Sequence, residues 1–345
     1  MKSKKILTIL VGIAVSVSIL FCGIIVVTSI QNGSSASASS FQPEEVHSYK
    51  LEKTSLEEFS EISISASYAD ISILPSDGYY LEYCLDGTCT EPSYGVTDGK
   101  FQFQEGSTQK KYMICFGFSS HDPFYLNLYV PADKYFDLIS IANDSGDVSF
   151  ETISAKQAEL TLDYGDLEFD IFTGDTLRLT MDSGNVEFET ISCKDVTLKN
   201  SYGSVTGDTL TASTSASIEL DSGNWEVQQV SSDQFSLQND YGNTDIDSFS
   251  SSDSIFAIDS GDLSLMDADF KNLDVDCQYG NVDLELRQAL SDYNWDLSTD
   301  YGDIYVDNKK IEPNDEEEAV YKKENGADNG MKIFCDSGNI TVTGK

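Results

Sequence analysis

The sequence predicts an all-β chain folded as a parallel β-solenoid with coils of about 19 residues, and three observations carry that expectation. A glycine preceded by Ser or Tyr and followed by Asp, Asn or Ser recurs at Gly146, Gly165, Gly184, Gly203, Gly223, Gly242, Gly261, Gly280, Gly302 and Gly338. The first eight are 19, 19, 19, 20, 19, 19 and 19 residues apart, and the last two gaps are 22 and 36. Between glycines, apolar and polar residues alternate with period two, as in Leu160, Leu162 and Tyr164 against Thr161 and Asp163. No helical periodicity separates these strand phrases, which excludes βαβ units.

Each element of the coil follows from this pattern. The inward phase slips by one residue across Gly165-Asp166, so the glycine marks a tight corner, where a φ above zero costs other residues more. Five residues before the glycines stand Ile141, Leu160, Leu179, Leu198, Ile218 and their successors; two after stand Val148, Leu167, Val186, Val205 and Trp225. These positions are core columns, and Trp225 is read as core. The residue before the glycine alternates Ser145, Tyr164, Ser183, Tyr202, Ser222, Tyr241, Ser260, Tyr279. By parity it points inward. Either each coil has 19 residues and Tyr and Ser interleave in one column, or each has 38 and a Tyr column faces a Ser column. We take the 19-residue coil as the expectation.

The chain opens with Lys2, Lys4 and Lys5, then runs uncharged from Ile6 to Ile30. At about 1.5 Å per residue that run exceeds the ~30 Å hydrocarbon core, and the leading lysines place the N-terminus in the cytoplasm. Residues 1–30 are thus expected to be a cytoplasmic tip and transmembrane signal-anchor. Ala36-Ser37-Ala38 also fits a signal-peptidase site, so cleavage stays open. Residues 31–40 form a Ser/Ala-rich tether. Residues 41–137 form an irregular β-rich cap, and residues 138–345 the repeats, with an acidic loop inserted at 308–330. Met331 to Thr343 is expected to close the stack. All 59 acidic residues and all but three of the 21 basic ones lie beyond residue 40, leaving that part at −41. Such a polyanion is repelled by nucleic acid and anionic headgroups and attracts cations and basic partners.

Candidate sites are few. Two residues before the glycines stand Asp144, Asp163, Asp182, Asp259 and Asp300; one residue after stand Asp147, Asp166, Asp262 and Asp303. Stacked, they form an outward carboxylate edge, and repeated hard oxygen ligands suit Ca²⁺. The alternative is that Asp and Asn serve the turn itself. No cofactor is otherwise implied. The two histidines, His47 and His121, accompany no nucleophile elbow or HExxH, and a catalytic acid pair needs one coil unlike the rest. The chain reads as a non-enzyme. Cys277 and Cys335 share the inward column three before the glycine and are expected to lie two or more coils apart, beyond disulfide reach. Aromatics crowd residues 79–125 as a cap core or a partner surface.

The phrase Leu126-Asn127-Leu128-Tyr129-Val130-Pro131, followed by an apolar segment to Ile141 and then Asp144-Ser145-Gly146-Asp147-Val148, resembles the bacterial "toast-rack" putative-adhesin family, over roughly Glu61 to Val342. The resemblance implies a right-handed β-solenoid at the cell envelope, some relatives acting with envelope-stress systems, and supplies no catalytic residues. The expectation is therefore a single-pass membrane protein whose C-terminal domain is an extracytoplasmic envelope interaction or adhesion module. Its partners would be the membrane and an envelope protein or cell-wall polymer. A calcium-stabilised surface rod and, more remotely, a carbohydrate-active enzyme are the alternatives.

Overall fold

The structure, a computed structural model, describes residues 48–87, 89–106, 124–312 and 319–344. The apolar run, the tether and both histidines lie outside the described residues, and among the described residues no helix is long and apolar enough to cross a membrane.

Chain direction first builds β1 (Ser48–Ser55), β2 (Glu61–Ala66), β3 (Asp70–Ser76), β4 (Tyr80–Asp86), β5 (Ser93–Thr97), β6 (Lys100–Gln104), β7 (Tyr125–Pro131) and β8 (Tyr135–Ser145). The periodic region then supplies β9 (Val148–Tyr164), β10 (Leu167–Ser183), β11 (Val186–Tyr202), β12 (Val205–Ser222), β13 (Trp225–Tyr241), β14 (Thr244–Ser260) and β15 (Leu263–Tyr279). Each runs from one glycine corner to the next. Neighbours pair in parallel with a fixed offset: Leu167 faces Val148 and Val186, and Leu179 faces Leu160 and Leu198. That offset is the glycine spacing, so the coil has 19 residues and the 38-residue alternative falls. The one 20-residue interval is absorbed in β12, where the register shifts between Ala212 and Ser215.

The burial pattern of β9 explains how so long a strand closes a coil. Val148 and Phe150, then Ile153 and Ala155, then Ala158, Leu160 and Leu162 are buried, separated by the exposed pairs Glu151-Thr152 and Lys156-Gln157. Each coil therefore has three inward arms, two soft bends made by adjacent polar residues, and one sharp glycine corner. Columns of like side chains fill the interior, such as the stacked rings of Phe150, Phe169 and Phe188 at 4.7 and 5.8 Å. Below them Gly207 leaves room, since an added Cβ there would lie 2.3 Å from the Phe188 ring. Trp225 is fully buried, as expected.

The ends depart from chain order. After β16 (Val282–Leu286) and a 3-10 turn at Leu290–Asp292 come β17 (Tyr293–Thr299), β18 (Ile304–Val306), β19 (Lys309–Lys310), β20 (Ala319–Lys323), β21 (Asn329–Ser337) and β22 (Ile340–Thr343). The last pair does not close the stack. β21 lies between β15 and β17, with Ile333 facing Val275 on one side and Leu297 on the other. β22 likewise separates β16 from β18. Gly338 therefore stacks on Gly280, and Gly302 stacks on Gly338.

This corrects the expectation for the cysteines too: Cys277 and Cys335 are direct register partners on adjacent strands, both fully buried. The neighbouring Cys335 thiol, then burial, pushes the Cys277 thiol up. The other end mirrors the arrangement. β2 sits between β6 and β8, and β3 between β7 and β9, so the first coil is also one layer inside. Antiparallel strands finish both ends: β4 on β7 and β5 on β6 at one, β20 on β17 and β19 on β18 at the other. Lys322 pairs with Asp296 at 3.0 Å and Lys310 with Asp303 at 2.7 Å on the second, so that edge carries charge against strand addition.

A candidate interaction edge

The glycine corner is set by backbone contact. From Gly146 to Gly280 the corner glycines hold φ between +129° and +158°. A Cβ on Gly203 would lie 1.9 Å from the carbonyl oxygen of Gly184. Two independent constraints, dihedral and contact, thus demand glycine. The chain starts turning before the glycine, which overturns the parity expectation for the preceding residue. Tyr164, Tyr202, Tyr241 and Tyr279 point outward and are 57–62 % exposed, while the intervening serines are half-buried.

One residue after the glycine, the side chains form a relay along the whole stack. The Asp147 N–H donates to Asp70 Oδ1 at 3.0 Å and the Asp166 N–H to Asp147 Oδ1 at 2.8 Å. The relay continues coil by coil to the Asn339 N–H on Asn281 Oδ1 at 3.0 Å and the Asp303 N–H on Asn339 Oδ1 at 2.9 Å. Asp262 takes part, accepting from Asn281 at 2.7 Å. At the terminal step Lys310 holds the Asp303 carboxyl below the usual carboxylate range. In the other row Asp144, Asp163 and Asp182 are exposed, and Asp259 and Asp300 half-exposed. The nine candidate carboxylates are thus brought into two columns flanking the Ser/Tyr column. Among the described residues, no three His, Cys, Asp or Glu are grouped to hold a metal. A melt with millimolar calcium and then chelator is expected to show no shift in midpoint, because the Asp147, Asp166 and Asp262 carboxylates already accept the N–H of the next coil; a raised midpoint would show that the edge binds the ion.

Inside the corner a second device appears. Asn143, Asn200 and Asn239 are buried, and each Nδ2 donates to its own corner glycine carbonyl. Each also donates to the corner carbonyl of the coil before, Ala69, Gly184 and Gly223 respectively. At the first corner Tyr68-Ala69-Asp70 replaces Tyr-Gly-Asp, and the buried Glu105 carboxylate accepts the Ser67 and Tyr68 N–H groups. The sequence already reads Ile62 to Ile73 as the first coil-like phrase, and the structure makes it a coil with alanine at the corner.

In spatial order the outward column reads Tyr68, Ser145, Tyr164, Ser183, Tyr202, Ser222, Tyr241, Ser260, Tyr279, Ser337, Tyr301. The alternation is unbroken. In chain order it fails after Tyr279, where Tyr301 precedes Ser337; the inverted threading restores it. Carboxylates gather beside this edge: burial first, then Glu226, Asp247 and Asp262, pushes the Asp245 carboxyl up.

The family described as Toastrack DUF4097 matches residues 59–194 and 173–343. The chain belongs to this family. No curated protein matches it. Among solved structures, one named as a putative lipid binding protein from Parabacteroides distasonis ATCC 8503 is 14% identical. It aligns over 71% of this chain and 94% of its own, with a TM-score of 0.42. One named as a putative adhesin from Bacteroides fragilis NCTC 9343 is 12% identical over 88% of this chain and 98% of its own, with a TM-score of 0.32. Another so named, from Parabacteroides distasonis ATCC 8503, is 12% identical over 87% and 98%, with a TM-score of 0.34. Along the edge of this Toastrack chain the glycine corners repeat one backbone turn. The groove of about 540 Å³ at a soft bend, lined by Ser231, Ser232, Ser250, Ser251, Asp233 and Lys271, lies away from them.

Proposed function

We propose that this Toastrack protein is a membrane-anchored extracytoplasmic rod that acts as an envelope interaction module of the adhesion type, with the glycine-corner edge as its contact surface. The lysine-led apolar run from Ile6 to Ile30 supports the anchor. The observation that carries the reading is the Tyr/Ser alternation kept in space across a break in chain order. A relic of sequence duplication follows the chain; this pattern follows the surface. Exposed rings in a row also cost solubility unless something covers them.

The test is binding of the full chain, held in detergent micelles, to isolated cell envelopes. The variant Y164S/Y202S/Y241S/Y279S is expected to lose at least tenfold in affinity while melting as the parent does. Unchanged envelope binding by a folded fourfold variant would remove the edge from the mechanism.

A further inference from the structure

We propose that the tyrosine column is a binding site for an extended, uncharged β-1,4-linked glycan, each ring stacking on every second sugar. The proposal rests on the edge reading above and names its ligand.

Spacing is the first argument. Successive coils in a parallel sheet are about 4.8 Å apart, so rings on alternate coils recur at roughly twice that distance. An extended β-1,4-linked polymer turns each sugar over relative to the last and repeats its orientation every two sugars, over a length of the same size. The same face of every second sugar therefore meets a ring. Tyr279 and Tyr301 keep this interval only because Ser337 is threaded between them.

Chemistry is the second. A phenol ring offers a flat apolar face to the C–H groups of a pyranose and a hydroxyl at its rim. The half-buried serines between rings leave the gap that the intervening sugar, turned over, would occupy. The flanking Asp and Asn columns present acceptors along the line of the polymer.

Charge is the third, and it decides among occupants. The chain beyond residue 40 carries −41; Asp144, Asp163, Asp182, Asp221, Asp240 and Asp259 line one side of the Ser/Tyr column, and Asp147, Asp166 and Asp262 punctuate the Asn/Ser row on the other. A second copy docking its own column would bring two such edges together, and a uronic-acid or phosphate polymer would meet the same repulsion. An uncharged glycan avoids that cost.

The experiment measures binding of the detergent-held full chain to particulate chitin and cellulose, with carboxymethylcellulose and polylysine as charged controls, at physiological salt. The parent is expected to bind at least one neutral polymer and not carboxymethylcellulose. Y164S/Y202S/Y241S/Y279S is expected to weaken that binding at least tenfold with an unchanged melt; serine already occupies this position in alternate coils, so the backbone accepts it. The decisive variant is S183Y/S222Y/S260Y, which puts rings on successive coils where they stack on one another. A period-matched site loses affinity severalfold. Stronger binding would show general stickiness and overturn the proposal.

So would a parent that binds neither neutral polymer, or that binds only polylysine. Failure here and failure of the edge reading are separable. If the parent ignores both glycans while the fourfold variant still loses envelope binding, the ligand is wrong and the edge stands. If envelope binding also survives the fourfold change, both fall.

Discussion

Gly203→Ala is expected to destabilise the stack by roughly 2–5 kcal/mol, the sum of a forced left-handed dihedral and overpacking against backbone. The native φ is +145°, and the new methyl would sit 1.9 Å from the Gly184 carbonyl oxygen and 2.6 Å from its carbon. Neither atom belongs to a side chain that can swing aside. Relief requires the coils to separate, which breaks the N–H to carbonyl bonds on both sides of the corner, Gly184 to Tyr202 and Gly203 to Ser222. A quasi-one-dimensional array transmits stability only between neighbours, so a mid-stack defect should split unfolding into two transitions. Gly95→Ala is the control, since a Cβ there meets nothing within 4 Å. Denaturant titration followed by circular dichroism reads both. A Gly203→Ala chain that unfolds like the parent would show that the corner glycines do not stack as described.

The legible and illegible parts of this chain divide along a physical line. Whatever repeats locally could be read: the corners, the coil length, the buried columns at Leu160 and Val186, the burial of Trp225. Each is a property of residues within one coil and of a spacing. The direction of Tyr164 was misread because period-two parity was extended into residues already turning toward Gly165. Two outward residues in succession, Asp163 and Tyr164, mark where the strand ends. The three arms per coil were missed for the same reason, since pairs such as Lys156-Gln157 look like imperfect alternation rather than bends. The place of β21 is a different kind of problem. Gaps of 22 and 36 residues say that the period breaks and not which coil lies outside. One clue did exist: exchanging the last two corners mends the Ser/Tyr alternation. The function of the edge lies in no single motif, and it becomes visible only when the corners are arranged in space.

The inverted threading of the C-terminal end makes the second large prediction. Ile333 is fully buried between Val275 and Leu297, so Ile333→Ala should cost roughly 2–5 kcal/mol, as for an interior aliphatic side chain. The magnitude alone does not prove the order of coils, because a capped terminal residue could approach it. Coupling does. Residues in contact show interaction energies of about 0.5–3 kcal/mol in double-mutant cycles, while separated residues add. With β21 in the middle, Val275→Ala couples to Ile333→Ala, Leu297→Ala couples to Ile333→Ala, and Val275→Ala with Leu297→Ala is additive. If the coils stacked in chain order, Val275 and Leu297 would be the coupled pair, and Val275 with Ile333 would add. The two arrangements predict opposite cycles from the same three single and three double variants. The threaded order also carries consequence for the edge, because it alone sets Ser337 between Tyr279 and Tyr301. A chain stacked in sequence order would place those two rings on adjacent coils and end the two-coil period at Tyr279. Cycles favouring a Val275–Leu297 contact would therefore remove the alternation on which the binding edge is argued.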